Sequence, residues 1–254
     1  MSQIFFTQTQ LVGTNKLGIL PKDKDGYYTQ AIGGLNIHNT SGHLYTAEAE
    51  VRALFTDAAS FFMKNIRGGT LRGEVDHPEW PHDMPEDAYA ARMLEIRPTN
   101  TCVHWADIWL DDTLNKNEDG SPIWTIMAKF CPSGVHGAML EKQLANGREN
   151  VCFSLRAFTM DRVIRGKRHR RIVEPITFDY VNRPGIPIAE KWKSPALETH
   201  HELAVNKAMF DRAFRGTGNN LGLENSAVSQ EHLYKQLGFD KHVGPSFFGW
   251  NKTH

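Results

Sequence analysis

The chain has no excess of charge of either sign, few cysteines and no long hydrophobic run, and each absence removes a class of function. Lys and Arg together number 29, the same as Asp and Glu, so no global field draws the protein toward nucleic acid or an anionic membrane. Polyanion binding would have to be local. No apolar stretch approaches the roughly 18–20 residues that cross a bilayer, and the opening Met1-Ser2-Gln3-Ile4-Phe5-Phe6-Thr7-Gln8 carries neither a basic n-region nor an apolar h-region. The expectation is a soluble, unexported protein. Three cysteines, Cys102, Cys131 and Cys152, are an odd number set in apolar segments, which reads as buried reduced thiols and not as a disulfide framework. There are twelve histidines. His77, His82, His104 and His136 could be ligands, but no His-Glu-x-x-His and no paired-cysteine spacing accompanies them. No metal and no cofactor is therefore called for.

What is present is ordinary globular composition, 40% hydrophobic over 254 residues, enough for one substantial core with a tail. The opening third reads as short strands and turns, among them Leu17-Gly18-Ile19-Leu20 and Tyr27 to Ile32. From Thr46 the period changes: Val51, Leu54, Phe55, Ala58, Ala59 and Phe62 recur at helical spacing, with Gly68-Gly69 beyond. Leu71 to Val75 reads as a brief strand, and Pro78 ends ladder pairing, which leaves His77 at a strand end or loop mouth. A polar insertion follows, with a short helix opened by Asp83. Thr101 to Leu110 and Ile123 to Phe130 form one expected hairpin. A helix runs from a Ser133 cap to Gly147. Val151 to Ile164 and Ile172 to Val181 form a second hairpin around the basic tip Arg165 to Arg171. No aromatic residues interleave the basic ones in that tip, so nucleic acid is not read as the partner. Past residue 192 the character shifts to a helical appendage: Ala196 to Phe214, a joint at Gly216-Thr217-Gly218-Asn219-Asn220, and Val228 to Leu237.

Two segments carry chemistry, Gly73-Glu74-Val75-Asp76-His77-Pro78 and Val151-Cys152-Phe153-Ser154-Leu155-Arg156. A serine hydroxyl is a poor nucleophile at neutral pH and needs an imidazole within hydrogen-bond reach to take its proton. Residue types alone do not make the pair, because a histidine before proline is commonly a turn residue and a serine in an apolar strand is commonly a bonded core residue.

The order of the whole series supplies more. A Gly-Tyr-Tyr, an amphipathic helix, the acidic-His-Pro segment, Val103-His104-Trp105, a helix ending at Gly147, Ser154-Leu155-Arg156 and Phe178-Asp179-Tyr180-Val181-Asn182-Arg183-Pro184 together resemble the prohead core proteases of tailed phages. These are similar in fold to the herpesvirus maturation protease, assemblin. The resemblance covers residues 17 to 187. It implies an α+β protein, a mixed or antiparallel β-barrel core surrounded by helices, with a protease domain over residues 1–192 and a helical C-terminal appendage over 193–254 that self-cleavage removes. It places the general base on His77 and the nucleophile on Ser154. Where the family has Ser-Ser-Arg-Gly, this chain has Ser154-Leu155-Arg156-Ala157, which leaves a single candidate serine. The oxyanion donor is expected to be a backbone N–H of this loop or a water held by Arg156.

The group behind the imidazole stays open. Asp179 ranks first, as a carboxylate on the strand after the nucleophile strand. His104 is the rival, since assemblin uses a second histidine. Asp76 is third, because neighbours on an extended segment point to opposite faces. The resemblance further implies a serine endopeptidase of head maturation inside the prohead, in the host cytoplasm. Scaffold and core proteins and the major capsid protein would be its substrates, and assemblin raises a homodimer. Cleavage after glutamate would need a cation in the specificity pocket, with Arg156, Arg162 and Arg183 as candidates. Sites of matching type occur in the appendage at Glu198, Glu224 and Glu231. The readings from other classes are an inactive scaffold or capsid-interacting protein on a protease fold, and a metallopeptidase.

Overall fold

The computed structural model describes residues 4–13, 20, 22–39, 42–81, 83–182, 186–189, 202–216 and 229–238. Its strands are β1 (Ile4–Gly13), β2 (Tyr28–Leu35), β3 (Ile37–His38), β4 (Leu44–Tyr45), β5 (Arg72–Glu74), β6 (Thr101–Lys116), β7 (Pro122–Pro132), β8 (Cys152–Ile164), β9 (Lys167–Val181), β10 (Ile186–Ala189) and β11 (Glu202–Val205). Its helices are α1 (Ala49–Thr56), α2 (Phe61–Arg67), α3 (Glu86–Leu94), α4 (Gly137–Ala145), α5 (Lys207–Gly216) and α6 (Gln230–Leu237).

The strands make two sheets. One is seven-stranded, in the order β10-β1-β8-β9-β4-β3 with β11 also on β1; the other is four-stranded, β2-β7-β6-β5. The fold is α+β with mainly antiparallel pairing. The expected barrel is not met: among the described residues the two sheets do not close on each other. They approach closely where β5 passes β9. A Cβ at Gly73 would lie 2.1 Å from the Phe178 carbonyl oxygen, so only glycine admits that approach. One parallel bridge, Val75 to Tyr180, joins the sheets there. Pairing stops at the next residue because Asp76 turns the chain with φ 56°.

The main core lies between the sheets. Trp105 and Phe130 from one sheet meet Phe153 and Phe178 from the other, with ring centroids 4.9 to 6.0 Å apart across the pairs Trp105–Phe153, Phe130–Phe153 and Trp105–Phe178. Each buried aromatic of this kind contributes on the order of 1.5–3 kcal/mol through apolar burial. Val51, Phe55, Phe62, Met63 and Ile66 add α1 and α2 to the same core. The single helix expected from Thr46 is thus two helices. The chain breaks at Asp57–Ser60, where the Ser60 hydroxyl accepts from the Met63 N–H and opens α2.

Strand alternation decides what faces the other way. Along β8, Phe153, Leu155 and Ala157 join the main core, so Ser154 and Arg156 point to the opposite face. Phe158, between register shifts at Arg156/Ala157 and Phe158/Thr159, joins a second cluster on that side with Ile176, Tyr89, Met93, Met209, Phe210, Leu233 and Leu237. Helices α3, α5 and α6 therefore cover the sheet face that also carries the candidate nucleophile. His232 on α6 contacts Glu174 on β9 at 2.7 Å and stacks on Phe61.

Both hairpins form, β6 with β7 and β8 with β9. The second turns at Arg165-Gly166, whose φ values are 52° and 77°. Residues 167–171, expected in the tip, extend β9 instead. The helix expected to begin at Ser133 starts at Gly137, because the Ser133 N–H donates to the Cys102 carbonyl and its hydroxyl accepts from Arg72 at 2.7 Å. All three cysteines are unpaired, and burial pushes the Cys152 thiol up to about 12.

Candidate active site

The chain delivers His77 from the β5 edge. Past Glu74, the Val75 N–H donates to the Asn100 carbonyl and the Asp76 N–H to the Tyr180 carbonyl at 2.7 Å. The Pro78 carbonyl accepts from the Tyr89 hydroxyl. With backbone ties on both sides, and Pro78 limiting the conformations open to the residue before it, His77 is held over the end of β9. Its Nδ1 lies 2.8 Å from Asp179 Oδ2, and its Nε2 makes a short hydrogen bond with Ser154 Oγ. Ser154 and Asp179 are themselves register partners across β8 and β9. A hydroxyl, an imidazole and a carboxylate thus stand in line, the arrangement in which the ring can take the hydroxyl proton while the carboxylate fixes its tautomer.

The three groups are secluded. Ser154 and Asp179 are fully buried and the His77 side chain is 10% exposed. Burial acts to raise the Asp179 carboxyl, but the Arg156 guanidinium and His77 outweigh it and hold it below the usual carboxylate range.

The other residues singled out from the sequence lie elsewhere. His104 sits on β6 with its Nδ1 3.9 Å from Cys131 Sγ, and burial together with Arg72 lowers its pKa. It is not the imidazole's partner here. Asp76 adjoins His77, yet the ring nitrogen that would need it is directed to Asp179. Burial pushes the Asp76 carboxyl up, partly offset by His77.

Arg156 requires a correction. Its guanidinium is fully buried, with Nε on Asp179 Oδ2, Nη2 on Asp179 Oδ1 and Glu74 Oε2, and Nη1 on the Glu95 carbonyl, each at 2.8 Å, and a longer Nη1 contact of 3.5 Å to the Met93 carbonyl. With its donors spent behind Asp179, it has none to offer an oxyanion, a water or a substrate glutamate. Ser154 to Ala157 also lie within β8, flanked by β1 and β9, and not on a loop. Arg162 is exposed near the hairpin tip; Arg183 and His82 lie outside the described residues, as do Glu198 and Glu224. His77, His104 and His136 are dispersed, and among the described residues no three His, Cys, Asp or Glu side chains gather as a metal site.

Sequence reasoning missed Glu74 and Arg92. Glu74 Oε2 accepts from Arg156 and from Arg92 Nη2 at 2.7 Å, and its Oε1 accepts from the Arg97 N–H. The signal was available: Glu74 and Arg156 each sit among apolar and glycine neighbours on a strand, and a charge in such a strand needs a buried partner.

Comparison with known proteins places the chain in a family. Residues 6–241 match the peptidase S80 family. The chain is 31% identical over 259 residues to a capsid maturation protease of Pseudomonas phage phiKZ, a similarity spanning 97% of this chain and 94% of that protein. A solved structure of the bacteriophage T4 capsid assembly protease aligns over 71% of this chain and 98% of its own length, with 14% identity and a TM-score of 0.42. By the extent of the family match and the identity to a protease relative along nearly its whole length, the chain belongs to the peptidase S80 family and is a protease.

Proposed function

We propose that the protein is a serine endopeptidase of phage head maturation in which Ser154 is the nucleophile, His77 the general base and Asp179 the third member. The observation that carries this reading is His77 bridging Ser154 Oγ through Nε2 and Asp179 through Nδ1. Ser154 Oγ attacks the scissile carbonyl as its proton passes to His77 Nε2, and Asp179 stabilises the imidazolium. The tetrahedral adduct collapses to an acyl-enzyme as the imidazolium protonates the leaving amine, and water then releases the acyl group by the reverse roles.

The substrates in this reading are scaffold, core and major capsid proteins inside the prohead, cut after glutamate. The relationship to assemblin, and the homodimer it implies, belong to the same reading, as does the division into a protease domain and a C-terminal segment removed after Glu224 or Glu231. Glu231 lies in the first turn of α6, whose Leu233 is buried, so cleavage there requires that helix to unwind first.

A fluorophosphonate probe tests the chemistry. Labelling of the wild type that disappears in Ser154→Ala and in His77→Ala is expected; equal labelling of all three overturns the assignment. Intact-mass measurement tests self-processing, with a tail lost from the wild type and retained by Ser154→Ala as the expected result. The seclusion of Ser154 gives a second reading weight, that of an inert capsid-interacting protein on the same fold. A wild type that stays unlabelled even within assembled particles decides for it.

A further inference from the structure

We infer that Arg156, Glu74 and Arg92 are positioning residues for the reaction: an alternating row of buried charges that fixes both oxygens of Asp179 and ties them to the C-terminal end of α3. The inference rests on the Ser154–His77–Asp179 reading.

A carboxylate offers about four lone-pair sites, and all four on Asp179 are filled. Oδ1 accepts from the Glu74 N–H at 3.0 Å and from Arg156 Nη2 at 2.8 Å; Oδ2 accepts from Arg156 Nε and His77 Nδ1, both at 2.8 Å. The carboxylate cannot rotate away from His77 without breaking several charge-assisted bonds. The guanidinium is fixed in turn by Glu74 and by the Met93 and Glu95 carbonyls, where the negative end of the α3 dipole favours a cation. Arg92, from α3 itself, binds both Glu74 and the Glu95 carbonyl. Asp179, Arg156, Glu74 and Arg92 together sum to zero charge, so the row brings no net charge into the interior beside His77.

Stability alone does not account for such a row. Replacing buried ion pairs with well-packed apolar side chains is often neutral or favourable, and the sheet face around these residues already packs Phe158 and Ile176 against helices. What the row adds is aim. Ser154 and Arg156 are two apart on β8 and share a face, so a shift of that strand moves the nucleophile and the clamp on Asp179 together. Glu74 works from the other side, its N–H on Asp179 and its carboxylate on Arg156, three residues before His77.

The test measures the rate of fluorophosphonate labelling against pH in the full chain for Arg156→Met, Arg156→Lys and Glu74→Gln, with Ser154→Ala as control. Arg156→Met should label on the order of 10²-fold more slowly, the scale expected when a reacting group is displaced by about 1 Å. The Arg156 guanidinium helps to hold the Asp179 carboxyl below its usual range. Losing that cation favours the protonated form of Asp179, so the acid limb moves to higher pH. Losing the Glu74 anion acts in the opposite sense, and in Glu74→Gln the limb moves to lower pH with a smaller loss of rate. Asp76 and Cys102 also share this neighbourhood and are unaltered in every variant. Arg156→Lys should restore the limb but not the full rate, because an ammonium cannot hold both Asp179 oxygens and Glu74 in one plane.

Labelling of Arg156→Met within threefold of wild type and with an unmoved limb overturns the inference, while the triad reading stands so long as Ser154→Ala is dead. Labelling retained in Ser154→Ala overturns the triad reading, and the inference with it. Should Arg156→Met fail to give a cooperative melt, the limb in Glu74→Gln decides: a shift to lower pH supports the row and a fixed limb overturns it.

Discussion

Within one hairpin, β8 and β9 carry cations of two kinds, and the difference lies wholly in their partners. At one end Arg156 is fully buried between Asp179 and Glu74. Midway, Arg170 is equally buried and makes a two-point contact with Asp161 at 2.8 and 2.9 Å. At the far end Arg162, Arg165, Lys167 and Arg168 are exposed, beside the exposed Val163 and Ile164. As letters the three sets look alike. Physically, the first two are committed to carboxylates in a low-dielectric setting, where losing a partner is costly, and the third is solvated and screened.

The largest effect should come from the buried end. Asp179→Asn keeps the shape but withdraws the charge that stabilises the imidazolium, and kcat should fall by about 10⁴-fold, as expected for the third member of such a triad. Replacing Arg162, Lys167 and Arg168 together with Ala should leave kcat unchanged, since those side chains are solvent-exposed at the other end of the ribbon. Steady-state kinetics on a peptide substrate distinguishes the two. If the tip variant lost as much activity as Asp179→Asn, the contrast between the ends would be wrong.

Acid should separate the same two ends. The Asp179 carboxyl is held below its usual range in the fold, so its contribution to stability is complete above the ordinary carboxylate pKa and disappears as the pH falls through the lower folded value. Melting temperature followed from pH 7 downward should therefore drop less steeply in Asp179→Asn than in wild type, whereas the tip variant should track the wild-type curve.

The middle of the hairpin should fall between in function but not in stability. Arg170→Met leaves Asp161, 16% exposed, without its two-point partner, and removing one member of a buried pair costs about 3–5 kcal/mol. Urea unfolding should show that loss, with labelling of Ser154 retained in the protein that remains folded. A loss below about 1 kcal/mol would place Arg170 with the exposed cations.

How much of this was readable follows the same division. His77, Ser154 and Asp179 were legible as candidates because an ordered series of local motifs pointed to them. The hairpins and the helix before β8 were legible from periodicity and turn residues. Arg156 was misplaced because what fixes it is remote: Glu74 and Asp179 lie on two other strands, and the Glu95 carbonyl comes from the end of a helix. The basic tip was read as seven residues because composition does not reveal register. In the structure Arg168 sits opposite Val163, and His169 opposite Arg162. The barrel was an expectation from fold resemblance, and at the β5–β9 edge the turn at Asp76 ends pairing after one bridge. Long-range pairing decides each of these, and a one-dimensional pattern does not contain it.

The smallest effect is expected at the two-residue turn itself. Arg165 and Gly166 both have positive φ, 52° and 77°, the conformation of a hairpin turn whose twist suits the flanking strands and which favours Asn-Gly. Glycine meets that demand without cost, but an arginine pays for the close approach of its Cβ to the following carbonyl. Arg165→Asn should relieve part of this strain and stabilise the fold by roughly 0.5 kcal/mol, about 1–2 °C in melting temperature for a chain of this size. Labelling of Ser154 should not change, since the turn is at the opposite end of β8 from the nucleophile. A lower melting temperature would mean that the Arg165 side chain makes a contact worth more than its backbone strain. The exposed end of the hairpin would then no longer be a purely solvated counterpart to the buried one.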